Sequence, residues 1–413
     1  MSIDSGRTCA RHCHFVEYHK QQRPIKDDQA ESTLTLDEFD FAVVGAGMVG
    51  AAIGYGLAGL QQRVLMLDGE DTDLRAAKAN FGLVWAHGKG LGRPEYQRLS
   101  VEACRAWPAF AGQLEAESGI DIGFQQTGGI HICLGEQEFA ARAAQIRAWN
   151  DQAPELGAQA SMLTRGEMFA LFPSMRLGEE VTGGSFGKLD GHVNPLRLLA
   201  ALQHSFRKRG GTLLPEHVVT RVGATPDGRC QVIAGTYRAI ARRVVIAAGL
   251  GAAKLCPDLH LEVPLRPQRG QILVTERLAS VLPLPASGLR QTAEGTVMIG
   301  ATQEEVGFDL STTTEASVRM LRRALRIIPE LTKARLVRHW SSLRVMTPDG
   351  LPVYACSPSF PGVSIATCHS GVTLAAFHAG TYAKSLVDQA PLRNLGLFHP
   401  SRFHVQESQR TNP

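Results

Sequence analysis

A glycine-rich turn between a strand and a helix constrains the fold of this chain more than any other feature. Residues 41–44 have the pattern of a short buried strand, and residues 50–60 have that of a helix. Between them, Gly45, Gly47 and Gly50 have the spacing of a dinucleotide site, in which they permit a tight turn, close approach of a pyrophosphate and close helix–strand packing. The phosphates would face the positive end of the helix dipole. The turn would be lined by the backbone of Ala46, Met48 and Val49.

An acidic residue stands where such a site needs one. Asp68 follows the next predicted strand, 64–67, and lies 21 residues after Gly47. A carboxylate there accepts hydrogen bonds from both ribose hydroxyls and disfavours a 2′-phosphate. The pattern alone leaves NAD and FAD open, and the alternative is a glycine-rich packing helix with a chance acid. The charge-free window 41–60 has the length of a membrane span, but its six glycines favour the nucleotide turn.

Composition excludes several other classes. Hydrophobic residues make up 44% and charged residues 20% of the 413 residues, as in ordinary globular proteins. The net charge of +4 is dispersed over the chain, which argues against a nucleic-acid partner. Eight cysteines without a CxxC pair predict free thiols, a cytoplasmic location and no metal centre. The N-terminus lacks the pattern of a secretory signal, and no transmembrane segment is expected.

Hydrophobic periodicity predicts an α/β (α+β) fold. Residues 99–178 look mainly helical, with a strand near 129–134, and a helix is expected at 195–209 with Asn194 as its N-cap. A second helix is expected after a capping box formed by Thr312 and Glu315. Further strands are predicted at 242–248, 271–275, 296–299 and 363–367.

Six further motifs favour FAD over NAD because of the family that they resemble. They lie, in order, at 78–86, 190–195, 243–249, 267–271, 347–352 and 366–371. Together with the glycine turn they resemble the D-amino-acid-oxidase-like family of FAD-dependent oxidoreductases, over about residues 40 to 390. The resemblance implies a Rossmann-like FAD-binding domain and a strand-rich substrate domain, both discontinuous. We assign 1–38 to a poorly ordered extension, 39–98, 179–263 and 339–392 to the FAD-binding domain, 99–178 and 264–338 to the substrate domain, and 393–413 to a C-terminal tail.

The resemblance also implies cofactor contacts residue by residue. A loop passing the flavin would carry Asn80, Gly82 and Leu83, and the backbone of Val219, on the strand after Gly211, would touch the adenine. Gly249 would end a strand beneath the cofactor. The last strand would turn into a helix whose N-terminus points at the flavin pyrimidine and stabilises its negative charge when reduced. That turn comprises His369, Gly371, Val372 and Thr373. No cysteine stands where some relatives attach flavin covalently, Ser342 being nearest, so we expect non-covalent FAD.

Arg344 matches the position that binds the substrate carboxylate in members that resemble glycine oxidase. A guanidinium suits that role through two charge-assisted hydrogen bonds, and a surface ion pair is the alternative. Arg269 and Arg290 are weaker candidates that we expect to be structural.

Four other residues bear on the predicted pocket. Gly288 replaces a tyrosine common in relatives, which predicts a roomier pocket. Trp85 and His87 are candidates for its wall, with ordinary packing as an equal alternative. His192 is expected to have no catalytic role.

The resemblance predicts oxidation of the C–N bond of an amino acid or N-alkyl amino acid to an imine, by hydride transfer to flavin. Glycine, sarcosine, D-amino acids, D-hydroxyproline and opines are the candidate substrates. Segments 275–277 and 299–309 are most similar to FAD subunits of heteromeric amine dehydrogenases, of the opine oxidase, hydrogen cyanide synthase and D-hydroxyproline dehydrogenase types. The alternative is therefore a flavin-carrying subunit that is inactive alone and that could lie at the inner membrane through its partners. An NAD-dependent dehydrogenase is a more distant alternative.

Overall fold

The computed structural model describes residues 37–69, 75–390 and 393–403. The predicted N-terminal extension therefore lies outside the described residues up to residue 36, and so do residues 404–413 of the predicted tail. Within the described part, no helix is long and apolar enough to cross a membrane. The charge-free window that has the length of a membrane span instead forms a strand and a twelve-residue helix.

The strands are β1 (Glu38–Val44), β2 (Val64–Leu67), β3 (Leu83–Val84), β4 (Gly129–Leu134), β5 (Ala160–Thr164), β6 (Val181–Gly187), β7 (Gly191–His192), β8 (Thr212–Leu214), β9 (Arg221–Ala224), β10 (Cys230–Ala234), β11 (Tyr237–Ile246), β12 (Arg266–Arg277), β13 (Leu289–Gln291), β14 (Thr296–Gly300), β15 (Leu336–Met346), β16 (Val353–Cys356) and β17 (Val363–Thr367). The helices are α1 (Met48–Gly59), α2 (Pro94–Ser118), α3 (Gly135–Asp151), α4 (Arg165–Leu171), α5 (Pro195–Lys208), α6 (Ala252–Leu255), α7 (Thr314–Ile327), α8 (Ala375–Phe377) and α9 (Ala383–Asp388). A π-helical turn, His378–Tyr382, joins the last two, and short 3-10 turns lie elsewhere, at Gly249–Gly251 among other places.

A largely parallel sheet carries the predicted strand–helix–strand unit. Its path runs β16-β17-β11-β1-β2-β8, with β10 and β9 added beyond β11. β1 pairs in parallel with both β2 and β11 and is therefore a central strand. The chain leaves the middle of the sheet at Val44, the buried last residue of β1. This parallel pairing confirms the mixed α/β fold. Ligand sites of such sheets lie beyond the carboxyl ends of the central strands.

Antiparallel strands form the rest of the molecule. One sheet has the order β13-β14-β12-β15, and another has the order β4-β6-β5. The predicted domain boundaries at 179 and 339 do not coincide with these sheets, since β6 pairs with β4 and β5, and β15 pairs along almost its whole length with β12. Such long-range ladders are not visible in local periodicity. The same pairing explains β5, a strand inside a region expected to be mainly helical.

Two predicted helix starts can be compared with the structure. Asn194 caps α5 as predicted, with its side chain accepting from the amides of Leu196 and Arg197. The start predicted at Thr312 is wrong by one residue, because the hydroxyl of Thr313 accepts from the amide of Ala316 and the helix begins at Thr314. Both caps satisfy amides that the first helical turn leaves unpaired.

The described part of the predicted C-terminal tail packs against the body of the protein. Phe398 is 1% exposed, and its ring lies edge-on to Tyr96 and Tyr354, with centroids 6.3 and 6.1 Å away. Residues 393–403 therefore help to enclose an aromatic cluster and do not form a free tail.

Candidate functional site

Close packing explains two glycines of the turn after β1. Gly45 has φ +100, and a Cβ on it would lie 2.6 Å from the carbonyl oxygen of Ala247 on the neighbouring strand's extension. A Cβ on Gly50 would overlap the carbonyl oxygen of Gly45. Any side chain at either position would push α1 away from the sheet.

The middle glycine, Gly47, is different because its surroundings are open. A Cβ there would meet only side-chain atoms, of Arg75 at 3.5 Å and Ala77 at 3.6 Å. Gly47 is the N-cap of α1, contributes no side-chain cap, and is followed by a first turn without an acidic residue. Met48 and Val49 lie in that turn. The turn thus offers backbone amides and a helix dipole to an anion, and the residues present fit a dinucleotide pyrophosphate.

Asp68 directly follows β2, the position for which the sequence predicts a ribose-binding carboxylate. Its carboxylate accepts from the amide of Ala46 at 3.1 Å and pairs with Arg75 at 2.6 Å. Val219 does not lie on a strand as expected; it lies in the coil between β8 and β9. That coil still contacts the backbone of Asp68, because the amide of His217 donates to the carbonyl of Asp68 at 2.7 Å.

The loop of Asn80, Gly82 and Leu83 is held from several sides. The side chain of Asn80 accepts from the amide of Gly82 at 2.9 Å and donates to the carbonyl of Ala77 at 2.9 Å. Gly82 has φ +76, and a Cβ on it would overlap the carbonyl oxygen of Val193. Leu83 begins β3, and Arg290 donates to the carbonyl of Phe81 at 2.5 Å. The loop therefore presents a fixed backbone surface.

The segment after β17 lies against this loop. The hydroxyl of Thr373 accepts from the amide of Trp85 at 3.2 Å, and the carbonyl of Thr373 accepts from the indole of Trp107 at 2.9 Å. A Cβ on Gly371 would lie 3.4 Å from Met48, so this segment also packs on the first turn of α1. The helix expected to begin here starts at Ala375 and contains the π-helical turn.

The expectation for Gly249 needs a correction. The strand β11 ends at Ile246, and Gly249, with φ +55, opens a 3-10 turn three residues later. It therefore follows the strand and does not end it.

These segments enclose a cavity of about 810 Å³. Residues from the 80–89 loop, β12, β14, α7, β15 and the 368–373 segment line it. It brings together many of the predicted site residues, namely Asn80, Gly82, Leu83, Arg344, His369, Val372 and Thr373, and also Gly288 and Trp85. This lining does not include the other predicted site residues, namely the turn at Gly45–Gly50, Asp68, Val219, Gly249 and Gly371.

The lining is positively charged. Of the described residues, it contains Lys89, Arg319, Arg323 and Arg344 and no aspartate or glutamate. Arg323 pairs with Glu138 at 2.9 Å, and Arg319 lies 3.8 Å from Glu304. Such a lining favours anionic ligands.

Arg344 has no ion pair with a carboxylate of the described residues. Within the described part of the chain, it donates to the carbonyl of Arg269, at 3.4 Å. Burial lowers the pKa of its guanidinium from the usual value. A largely enclosed guanidinium without a carboxylate differs from the surface ion pair that was the alternative.

The weaker arginine candidates have other partners. Arg269 pairs with Glu304 at 2.7 Å and with Asp309 at 2.5 Å. Arg290 donates to His192 at 3.0 Å in addition to the Phe81 carbonyl. Neither arginine lines the cavity, and both connect segments of its wall.

His87 belongs to a buried polar cluster behind the cavity. Its ring nitrogens lie 2.9 Å from Asp190 and 2.6 Å from Ser185, and Arg142 donates to the same serine at 2.8 Å. Asp190 also accepts from the amide of Ala86 at 2.7 Å. This serine–histidine–aspartate arrangement is not part of the cavity lining, and it fixes the loop that carries Trp85.

Sequence reasoning missed Lys89. Its ammonium donates to the hydroxyls of Ser370 at 2.7 Å and Thr373 at 3.0 Å, and burial lowers its pKa to about 8. One signal was present: between residues 81 and 92 it is the single lysine, arginine, aspartate or glutamate.

Comparison with known proteins shows which family has this geometry. The model of the family described as "DAO: FAD dependent oxidoreductase" matches residues 40–384. An opine oxidase subunit of Agrobacterium tumefaciens (strain Ach5) is 39% identical over 372 residues, which cover 90% of this chain and 99% of that protein. Hydrogen cyanide synthase subunit HcnC of Pseudomonas aeruginosa is 27% identical over 361 residues, covering 76% and 84%. The crystal structure of glycine oxidase from Geobacillus kaustophilus superposes with a TM-score of 0.80 at 26% identity, covering 88% of this chain and 98% of that one.

Proposed function

Because the chain belongs to the DAO family of FAD-dependent oxidoreductases, we propose that it oxidises the C–N bond of an amino acid or N-alkyl amino acid to an imine. FAD is its cofactor, and it accepts the hydride that leaves the substrate carbon. The observation that carries the proposal is Arg344, an enclosed guanidinium without a carboxylate partner among the described residues, in a cavity lined by no acidic residue.

The chain's residues divide the binding of FAD between two regions. The turn at Gly45–Gly50 would hold the pyrophosphate, Asp68 the ribose and the backbone at Val219 the adenine. The flavin half would lie in the cavity, against two segments that face each other. They contribute Asn80, Gly82 and Leu83 on one side and His369, Gly371, Val372 and Thr373 on the other. Gly249 lies after β11, beside the turn. The binding is non-covalent in this proposal.

The substrate is oriented by its charge. The carboxylate of an amino acid would accept two hydrogen bonds from Arg344, which places the neighbouring carbon for transfer. The partial burial of Arg344 strengthens that attraction, since fewer water molecules screen its charge. Gly288 at the cavity wall leaves room for a substituent on the amine.

Among N-alkyl amino acids we favour the opine class. The support is the relative that is 39% identical over 90% of this chain, which is named an opine oxidase subunit. The same name, with that of the hydrogen cyanide synthase subunit, supports a second proposal, a flavin-carrying subunit of a heteromeric dehydrogenase. An exposed apolar stretch, Val306, Phe308 and Leu310, which are 39%, 71% and 40% exposed, suits contact with a partner subunit. We propose a cytoplasmic location for either form.

Anaerobic bleaching of the bound flavin tests the reaction without an electron acceptor. Purified holoprotein is mixed with glycine, sarcosine, D-proline, D-hydroxyproline or an opine, and visible flavin absorbance is followed. At least one amine should bleach the flavin, with an opine fastest. If dithionite reduces the flavin but no amine does, the proposed function is wrong.

Oxygen consumption separates the two forms. A single chain that bleaches with an amine and then consumes oxygen at the same rate is a self-sufficient oxidase. A chain that bleaches but reacts slowly with oxygen, and that co-purifies with other subunits from its host, is the flavin subunit of a dehydrogenase.

A further inference from the structure

Two of the four cations that line the cavity lack a carboxylate partner among the described residues. Arg323 and Arg319 each have one within 4.0 Å, whereas Lys89 and Arg344 have none. The proposed function assigns the substrate carboxylate to Arg344. It leaves the charge of Lys89 without a role.

Lys89 is fixed in place along its whole length. Its carbonyl accepts from the indole of Trp149 at 2.6 Å, and its amide donates to the carbonyl of Ala86 at 2.9 Å. Its ammonium donates to Ser370 and Thr373, and the hydroxyl of Ser370 lies 2.8 Å from that of Tyr96. An ammonium has three donors, so two are used within the protein and one remains for a ligand in the cavity.

This arrangement is costly for folding. A buried ammonium without a paired carboxylate loses hydration that two neutral hydroxyls replace only in part. The buried carboxylate of Asp190, which acts on Lys89 electrostatically, already accepts from the amides of Ala86 and His87. Charges kept at such cost are concentrated at functional sites.

The position of the ammonium selects its ligand. Both of its partners lie on the 368–373 segment, which carries the proposed contacts to the flavin pyrimidine, whereas Arg344 lies on β15. The negative charge of reduced flavin lies at N1 and the C2 carbonyl of that pyrimidine, and nearby protein charge tunes it.

We propose that Lys89 supplies the positive charge that stabilises the anionic, reduced form of the bound flavin. The inference rests on the proposed function for the location of the flavin. Lys89 acts on the electron affinity of the cofactor, and it does not bind the substrate carboxylate.

Sulfite binding to the oxidised holoenzyme tests this without any amine substrate. The sulfur lone pair forms a bond to flavin N5, and the π pair of the N5=C4a bond moves into the pyrimidine, which becomes anionic. The dissociation constant therefore reports stabilisation of that charge. In Lys89→Met the constant should rise about tenfold or more, which corresponds to ~1.4 kcal/mol per factor of ten. Lys89→Arg keeps the charge and should stay within about threefold of wild type.

The midpoint potential of the flavin is a second readout. It should fall in Lys89→Met and in Lys89→Gln, which keeps a neutral hydrogen-bond donor, and it should stay near wild type in Lys89→Arg. If sulfite affinity and potential are unchanged in Lys89→Gln, with full flavin content, the proposal is wrong. If only the KM for a substrate with two carboxylates rises, Lys89 binds substrate instead.

The Arg344→Ala variant separates this inference from the proposed function. It should keep a wild-type midpoint potential while it loses affinity for amine substrates. A holoenzyme that no amine reduces, but whose sulfite affinity depends on Lys89 as described, would overturn the proposed function and leave the role of Lys89 standing.

Discussion

The turn after β1 and the cavity beside β15 would bind different halves of the proposed ligand set, and they are built in opposite ways. The turn uses backbone: within six residues, glycines bring α1 onto the sheet and leave its first amides open. The cavity uses side chains from five or more separate segments, and its charges come from residues as far apart as 89 and 344. Local sequence is enough to predict the first region, whereas the second exists only after the chain has folded.

Because of this difference, substitutions in the two regions should have different effects on folding and on binding. A substitution at Gly45 or Gly50 of the turn acts through sterics and removes both folding and cofactor binding. A substitution in the cavity acts through charge or hydrogen bonding and leaves the fold in place. Substitutions ordered by size of effect can test that separation.

The largest effect is expected in the turn. Gly50→Val would drive a side chain into the carbonyl oxygen of Gly45, so we expect a loss of more than ~4 kcal/mol and no soluble holoprotein. Gly47→Ala is the matched control, because its Cβ would meet only side-chain atoms at 3.5 Å or more. It should keep the thermal stability of the apoprotein and lower only the affinity for FAD, measured by flavin titration. Equal loss of stability in both variants would contradict the steric argument.

The buried cluster behind the cavity should come next. Asp190→Ala removes the acceptor of the Ala86 and His87 amides and of the His87 ring, and unsatisfied buried groups cost ~1–3 kcal/mol each. Chemical denaturation should show a loss of about 3 kcal/mol. Asp121→Ala is the control, since that side chain is 78% exposed and lies 3.6 Å from Arg197. If the cluster contributes nothing to stability, Asp190→Ala and Asp121→Ala should have the same denaturant midpoint of unfolding.

Arg344→Ala should change catalysis without changing stability. Loss of a charge-assisted pair should lower kcat/KM for the reducing amine about 100-fold, mostly through KM, because hydrogen bonds to charged groups contribute ~1.5–3 kcal/mol. Arg344→Lys keeps the charge but loses the two parallel donors of the guanidinium. Its kcat/KM should therefore lie between those of wild type and Arg344→Ala. Flavin content and spectrum should match wild type in both variants. An unchanged KM of Arg344→Ala for the amine would contradict the assignment of Arg344 to the substrate carboxylate.

The smallest effect is a pH dependence. The pKa of Lys89 is lowered by burial to about 8, so raising the pH removes its proton and should weaken sulfite binding about fivefold between about pH 7.5 and about pH 9.5. The charged or titratable groups around it are Asp190, Cys104, Cys368 and His369. Burial raises the pKa of both thiols, that of Cys368 to about 12, and lowers that of His369 to about 3, so none of these three titrates in this range.

Lys89→Arg should have a flat profile over the same range, because a guanidinium keeps its proton. A wild-type profile as flat as that of Lys89→Arg would show that another group controls the charge. Dissociation constants for sulfite at each pH, from absorbance titration, decide between the two.

Sequence reasoning succeeded where the chemistry is local and failed where it is not. The strand–turn–helix, Asp68 and the cap at Asn194 depend on neighbours within a few residues or on one well-spaced acid. The resemblance implies that Val219 lies on the strand after Gly211, but that strand ends at Leu214. Lys89 was missed because its meaning depends on Ser370 and Thr373, some 280 residues away. The motifs that resemble the family indicated which segments meet, but not which charges remain unpaired when they do.

The aromatic cluster around Phe398 matters for hybrids made between relatives. The matched family region ends at residue 384, yet the ring of Phe398 packs on Tyr96, whose hydroxyl lies 2.8 Å from the Ser370 hydroxyl that holds Lys89. A hybrid that grafts only the matched region would leave a ring-sized gap behind that hydroxyl. Crossover points placed after residue 403 would transplant the cavity together with the residues that support it.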